Sequence, residues 1–224
     1  RRNWTTGTTY DIYRHDYEEF ITGSTTTRQT ANSGATTLFD STFYVLTSDR
    51  NVYKCLDNDG NTASTVEPTG TGTSIITTGD GYKWKYMYTL SAAQQANFLS
   101  TDFMAVATNS TVSSAAVDGA LDTVKIKTAG SSYTVSGGGT SGTITAVPIR
   151  GDGSSGVCSV TITSGAITAV TVTTAGTGYT SGYIRNADII AATNAGGAGS
   201  GAELDVIIPP KGGHGFNAVE ELGG

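Results

Sequence analysis

The chain has 224 residues, a formal net charge of −6 at pH 7 and only 14% charged residues. Nucleic-acid affinity comes mostly from cationic side chains on phosphates, so this sparse, net acidic charge argues against a nucleic-acid partner. No run of about 18 apolar residues is present, so no membrane span is expected, and no secretory signal is recognisable.

The composition favours ordered β-structure, with 30 glycines, abundant threonine and only 4 prolines. Threonine favours strands, and glycine supplies the turns between them. Cys55 and Cys158 are expected to be free, partly buried thiols, which fits synthesis in a reducing cytoplasm. The sequence opens on Arg1-Arg2 and ends on Gly223-Gly224. We therefore expect a fragment of a longer protein.

Residues 1–40 are polar and rich in threonine, and residues 10–20 are compatible with a short helix or an extended arm. Residues 43–46 and 52–56 then form two apolar runs around a polar turn. Two β-prone runs around a short polar turn predict a β-hairpin. A second turn is predicted over residues 57–61, since Asp, Asn and Gly tolerate left-handed backbone conformations.

Residues 82–90 predict a strand with one aromatic face. Alternation with a period of two places every second side chain on the same face. The aromatic positions are Tyr82, Trp84, Tyr86 and Tyr88. We expect them to form a core or interface face, although a sugar-stacking platform is an alternative. Lys83 and Lys85 are expected on the solvent side. Ser91 and Gln94 then form a capping-box pattern that predicts a helix of about three turns.

Residues 109–208 differ in texture, being dominated by small and hydroxylated residues. Residues 124–134 align with residues 170–180 at an offset of 46, and each copy carries Ala-Gly-x-x-Tyr-Thr. Two copies are too few for a solenoid, so we predict a compact β-sandwich or small barrel of two similar halves. The tyrosine of each copy is expected to cover one end of the core. Pro209-Pro210 then marks a boundary.

The chemistry of a catalytic or metal site is not apparent in the sequence. The two histidines, His15 and His214, and the two cysteines lack the paired spacing of a zinc site. Residues 57–61 lack the register of a calcium loop. We expect no enzyme activity, no metal and no cofactor. An enzyme that acts on glycans would need paired carboxylates in a cleft. The candidates for that role are Asp16, Glu18, Glu19 and Asp102.

The order of several motifs resembles the baseplate wedge proteins of T4-like contractile-tailed phages. The segments that carry this resemblance are residues 44–46, 52–56 and 80–88, the stretch 209–217 with Gly212-Gly213-His214-Gly215, and the early residues 4–8 and 10–13. The similarity is greatest to the subunit that is present as a dimer in each wedge. It covers about residues 1–108 and 209–224.

The resemblance implies a mainly β protein with little helix (α+β), in which a β-sandwich-like domain carries an inserted β-rich domain. The expected domains are 1–108 with 209–224, and the insert 109–208. The implied role is a non-enzymatic virion component of the tail baseplate, made in the host cytoplasm. Its implied partners are a second copy and other wedge proteins. Besides the aromatic strand, the expected contact residues are Lys211, His214 and Phe216. A carbohydrate-binding or adhesin-type module is the alternative.

Overall fold

The computed structural model describes residues 1–17, 19–22, 25–28 and 31–223. Strands account for 34% and helices for 11% of the chain, and every ladder between the named strands is antiparallel. The prediction of a mainly β fold with little helix is therefore confirmed.

The chain divides into two compact units, and the first is discontinuous. It comprises Arg1–Val117 and Gly212–Gly224, whereas the second comprises Asp118–Lys211. The limits differ from those expected from the sequence, since residues 109–117 belong to the first unit and residues 209–211 to the second. The composition changes near residue 109, but the second unit begins only at Asp118, nine residues later.

A four-stranded sheet forms the centre of the first unit, in the order β3-β4-β6-β5. Its strands are β3 (Tyr44–Leu46), β4 (Asn51–Asp57), β5 (Ile76–Thr77) and β6 (Lys83–Thr89). A separate ladder pairs β1 (Glu19–Thr22) with β2 (Thr25–Arg28). The predicted hairpin is confirmed as β3 and β4, whose connection is closed by Thr47 N donating to Asn51 O at 2.9 Å.

Turns and caps in the first unit follow local sequence rules. The predicted turn after β4 is confirmed, and Asp59, Gly60 and Asn61 all have φ between 49° and 70°. The predicted capping box is also confirmed at α1 (Ala92–Phe98), where Ser91 and Gln94 exchange hydrogen bonds. Two further short helices, α2 (Ser110–Ala115) and α4 (Ala218–Glu221), begin at asparagine N-caps.

Two antiparallel sheets enclose the core of the second unit. One has the order β11-β10-β8 and the other β7-β13-β12-β9. The elements are β7 (Thr123–Ser131), β8 (Gly142–Pro148), β9 (Arg150–Gly151), β10 (Val157–Thr163), β11 (Ala166–Thr174), β12 (Gly182–Tyr183), α3 (Asn186–Ala191) and β13 (Ser200–Ile207). Residues from both sheets form one apolar cluster that contains Cys158. Neither cysteine forms a disulfide, as predicted, and both are more completely buried than expected.

The strand register of the second unit repeats with the 46-residue offset. Val124 pairs with Val206 in one sheet, and Val170 pairs with Val160 in the other. The β7–β13 and β10–β11 ladders therefore each take one strand from each copy of the repeat. The register shift between positions 203 and 204 recurs between positions 157 and 158.

The tyrosines of the two repeat copies are buried, and each ring packs directly against a glycine. Tyr133 is 0% and Tyr179 is 2% exposed. A Cβ atom built at Gly199 would lie 2.1 Å from the Tyr133 ring, and one at Gly153 would lie 2.4 Å from the Tyr179 ring. These two glycines are also 46 residues apart, so each ring lies where only glycine leaves room for it.

Candidate functional site

The aromatic strand is internal to the first unit. Tyr82 and Trp84 are 0% exposed, Tyr86 is 3% and Tyr88 is 2% exposed. The expectation that these side chains form an interface face is therefore corrected, since they offer no surface to a partner. The same burial rules out this strand as a sugar-stacking platform.

The expected solvent side of this strand is also wrong. Lys85 is only 7% exposed, and its ammonium donates to Thr73 O. Met87 is 1% exposed, so β6 is covered on both faces. A register shift in the β4–β6 ladder lies here, because Tyr86 pairs with Tyr53 whereas Tyr88 pairs with Val52. Lys85 is buried because Thr73 and Gly215 lie against it, and the alternation within one strand does not indicate such a cover.

Trp84 is held by other aromatic rings. Its ring stacks on Tyr82 at 5.4 Å with an interplanar angle of 16°, and Tyr10 packs edge-on at 5.7 Å. The Tyr82 hydroxyl donates to Thr62 O, and burial raises the pKa of Tyr82 to about 12. The Trp84 indole nitrogen has no hydrogen-bond partner among the described residues. This cluster is a packed aromatic core.

Asp80, at the start of the resembling segment, organises the loop before β6. Its carboxylate accepts from the backbone N–H groups of Thr65 and Val66 and from the hydroxyls of Ser64 and Thr78. Burial alone would raise the pKa of Asp80, but these hydrogen bonds lower it to about 2. The residue is therefore a structural anchor in the first unit.

The three contact residues expected in the glycine-rich stretch after Pro210 differ in exposure and in the unit to which they belong. Lys211 is exposed and belongs to the second unit, and Phe216 is 49% exposed. His214 is only 7% exposed, so its predicted role as a contact residue is corrected. Gly213 has a φ of 91°, and a Cβ atom there would lie 2.3 Å from Val117 O. The two backbones therefore lie close together directly before the buried histidine.

A buried ion pair lies beside this histidine. Lys54, in the middle of β4, is 0% exposed, and its ammonium contacts the carboxylate of Glu221 in α4, which is 6% exposed. The Glu221 carboxylate also accepts from Gly215 N at 2.9 Å and from Asn217 N at 3.1 Å. Two backbone donors and one ammonium together compensate a carboxylate that has lost its water.

Tyr13 contacts both the lysine and the histidine. The Lys54 ammonium lies 4.8 Å from the centroid of the Tyr13 ring, and the His214 ring packs edge-on against the same ring at 5.0 Å. Burial, followed by the charges of Lys54 and Lys85, lowers the pKa of His214 well below 6.5. Burial and the charge of Glu221 raise the pKa of Tyr13. Both rings are therefore neutral near pH 7.

Lys54 and Glu221 were missed by the sequence analysis. The signal for Lys54 was present, since a lysine occupies the middle of the apolar run 52–56. A charge in such a run requires a partner, but the sequence did not identify Glu221, which lies 167 residues away. A cavity of about 30 Å³ lies next to the pair, lined by Leu38, Phe39, Phe43, Glu220, Glu221, Leu222 and Gly223.

The segment 91–107 of the first unit has no buried residue. It contains α1 and two largely exposed aromatic side chains, Phe98 at 63% and Phe103 at 74%. Asp102 is the only charged residue in it. Contiguous patches of exposed apolar side chains are typical of contact surfaces between proteins.

The candidate residues for a glycan-cleaving site gain no support as a pair. The Asp16 carboxylate accepts two hydrogen bonds from Arg14 at 2.7 Å. Asp102 is exposed. Glu18 lies outside the described residues, and the side chain of Glu19 is not described either. Within the described ranges, no three His, Cys, Asp or Glu side chains are arranged to hold a metal ion, and no helix is long and apolar enough to cross a membrane.

Comparison of the chain with protein-family models, with curated proteins and with solved structures found no match.

Proposed function

We propose that this protein is a structural component of the baseplate wedge of a contractile phage tail. It acts through contacts with a second copy of itself and with other wedge subunits, and not through catalysis. It is made in the host cytoplasm and ends in the virion. The proposal begins from the sequence resemblance, and one structural observation supports it.

That observation is the packing of the resembling segments. The segment 52–56 contains Lys54, which pairs with Glu221 in the C-terminal part of the chain. The segment 80–88 contains Lys85, whose Cε lies 3.3 Å from a Cβ atom built at Gly215. Segments from the two ends of the sequence thus form one unit, with a unit of different composition between them. This arrangement fits a subunit in which one domain is inserted into another.

The exposed apolar segment 91–107 is the surface that we assign to contacts in the proposed assembly. Burying two exposed phenylalanine side chains at an interface contributes favourable apolar transfer energy, on the order of 1.5–3 kcal/mol for each fully buried ring. A segment with almost no charge adds little desolvation cost when it is covered. We therefore place one contact surface of the proposed assembly on this segment.

Mass spectrometry of purified tails tests the proposed location. Phage particles that encode the chain would be purified on a gradient, and their baseplates separated from sheaths and heads. We expect the chain in the baseplate fraction at a fixed ratio to other baseplate proteins. Baseplates that lack the chain, or a chain found only in the lysate, would contradict the proposal.

Sedimentation velocity tests the contact surface. The double variant Phe98→Ser/Phe103→Ser is expected to weaken self-association or binding to wedge subunits at least tenfold. Its melting temperature should change little, because neither side chain is buried. Tyr183→Ser is the matched control, since Tyr183 is 51% exposed in the second unit. Equal association of the two variants would rule out the segment as a contact surface.

A further inference from the structure

The C-terminal part of the first unit covers two buried lysines of the central sheet. Residues 212–222 bring Glu221 onto Lys54 and place Gly215 against Lys85. Lys54 is 0% and Lys85 is 7% exposed, so both ammonium groups depend on protein partners in place of water. The segment therefore closes over a cluster of charges.

His214 is the side chain of this segment that enters the cluster. It is 7% exposed and packs on the Tyr13 ring at 5.0 Å, and the Lys54 ammonium contacts the same ring at 4.8 Å. The charges that act on it are those of Lys54 from β4 and Lys85 from β6, and Glu221 from α4 pairs with Lys54. Tyr13, which precedes these elements, faces it as a neutral phenol.

The local charge balance makes a proton on His214 costly. With a neutral ring, the cluster holds two ammonium groups and one carboxylate. A protonated ring would add a third positive charge to the same buried space, where water screens charge poorly. Opening the segment relieves this repulsion, since all three cations then reach solvent.

We propose that residues 212–222 form an acid-sensitive latch, which protonation of His214 opens by displacing the Glu221 segment from Lys54 and the sheet. This inference rests on the geometry of the first unit and does not depend on the proposed role in a phage tail.

The direction of the pH effect follows from proton linkage. The pKa of His214 is lowered in the closed state by burial and by the two lysines, whereas the open state has the ordinary value of 6.5. The open state therefore binds the proton more tightly, and the closed state is stabilised at high pH and destabilised as the pH falls below 6.5. One proton with these properties raises the opening constant about tenfold between pH 7.5 and 5.5.

Amide hydrogen exchange measures this opening directly. The backbone N–H groups of Gly215 and Asn217 donate to Glu221, so their protection reports the closed latch. After correction for intrinsic exchange, we expect their protection to fall about tenfold from pH 7.5 to 5.5. The Cys55 N–H, which donates to Phe43 O in the sheet, should keep its protection.

Two histidine variants provide the control. His214→Gln keeps a polar side chain that does not titrate, and its latch amides should show no pH dependence in this range. His15→Gln removes the other histidine, which is exposed, and should behave like the unmodified chain. Constant protection in the unmodified chain, or a tenfold fall that persists in His214→Gln, would overturn the proposal.

A measurement on the unmodified chain covers the case in which His214→Gln does not fold. The ring carbons of His214 are followed by nuclear magnetic resonance from pH 8 to 5. We expect the ring to stay neutral for as long as the latch amides remain protected. A ring that titrates near pH 6.5 while Gly215 and Asn217 stay protected would equally overturn the latch.

Discussion

At the scale of single residues, the charge of the buried lysine of β4 must be compensated within the first unit. Lys54 lies inside an apolar strand, and Glu221 compensates its charge. A buried pair of this kind contributes little net stability compared with apolar residues, yet removing one partner leaves an uncompensated charge. Glu221 in the C-terminal segment is therefore needed to compensate the charge of Lys54, although the pair itself adds little net stability.

The first prediction concerns this pair. Glu221→Gln should lower the free energy of unfolding of the first unit by about 3–5 kcal/mol, because Lys54 keeps its charge without an anion. The double variant Lys54→Met/Glu221→Leu should recover most of that loss. Urea denaturation followed by tryptophan fluorescence measures both, because Trp84 lies in the same unit.

Lys83→Met is the matched control for the ion pair. Lys83 Nζ lies 3.9 Å from Asp57 Oδ2, where β6 begins and β4 ends, and both side chains are partly exposed. Its loss should cost less than about 1 kcal/mol. A cost for Glu221→Gln no greater than that of Lys83→Met would show that the buried pair is not a stability determinant.

At the scale of elements, the predictions from sequence were accurate where residues near one another in the chain decide the structure. The hairpin of β3 and β4 and the capping box of α1 depend on neighbouring residues, and both form as predicted. The second face of β6 was misassigned to solvent, because the residues that cover Lys85 come from other segments of the chain. The aromatic residues could be recognised as a core pattern, but their complete burial could not.

The second prediction concerns the tyrosine and glycine contacts of the second unit. Gly153→Ala would place a methyl group 2.4 Å from the Tyr179 ring. Overpacking of this kind costs about 1–3 kcal/mol. For a unit of this size, that cost lowers the melting temperature by roughly 5 °C or more. Tyr179→Ala should lower it further, since it removes a buried ring.

Differential scanning calorimetry measures this effect, with Gly72→Ala as the control. A Cβ atom at Gly72 would meet nothing within 4 Å, and its φ is not in the left-handed region. That variant should leave the transitions unchanged within about a degree, because it introduces no clash and no backbone strain. Equal melting temperatures for Gly153→Ala and Gly72→Ala would contradict the proposed role of the glycine.

At the scale of the whole molecule, the points at which the chain enters and leaves each unit are adjacent within that unit. In the second unit, Thr123 pairs with Ile207, so the ends of that unit lie side by side. In the first unit, the chain leaves at Val117 and returns at Gly212, and Val117 contacts Gly213. Chain ends that are adjacent within both units allow one to be inserted in the other without distortion.

The third prediction is that the two units fold separately. Replacing residues 118–211 with a Gly-Ser linker of about 4 residues should leave a folded first unit, because Val117 and Gly213 are already in contact. Residues 118–211 expressed alone should also fold, since their core is internal. Circular dichroism and calorimetry test both, and an unfolded product in either case would contradict independent folding.

The sequence by itself determined the β class, the hairpin, the turn after β4, the helix cap and the 46-residue repeat. These features depend on backbone preferences and on residues that are near one another in the chain. Only the tertiary structure decided that Lys85 and His214 are buried, that Lys54 pairs with Glu221, and where the second unit begins. The physical reason is that burial and charge compensation are set by whichever distant segment covers a side chain. Nothing in the local pattern around Lys54 specifies a carboxylate more than 160 residues away.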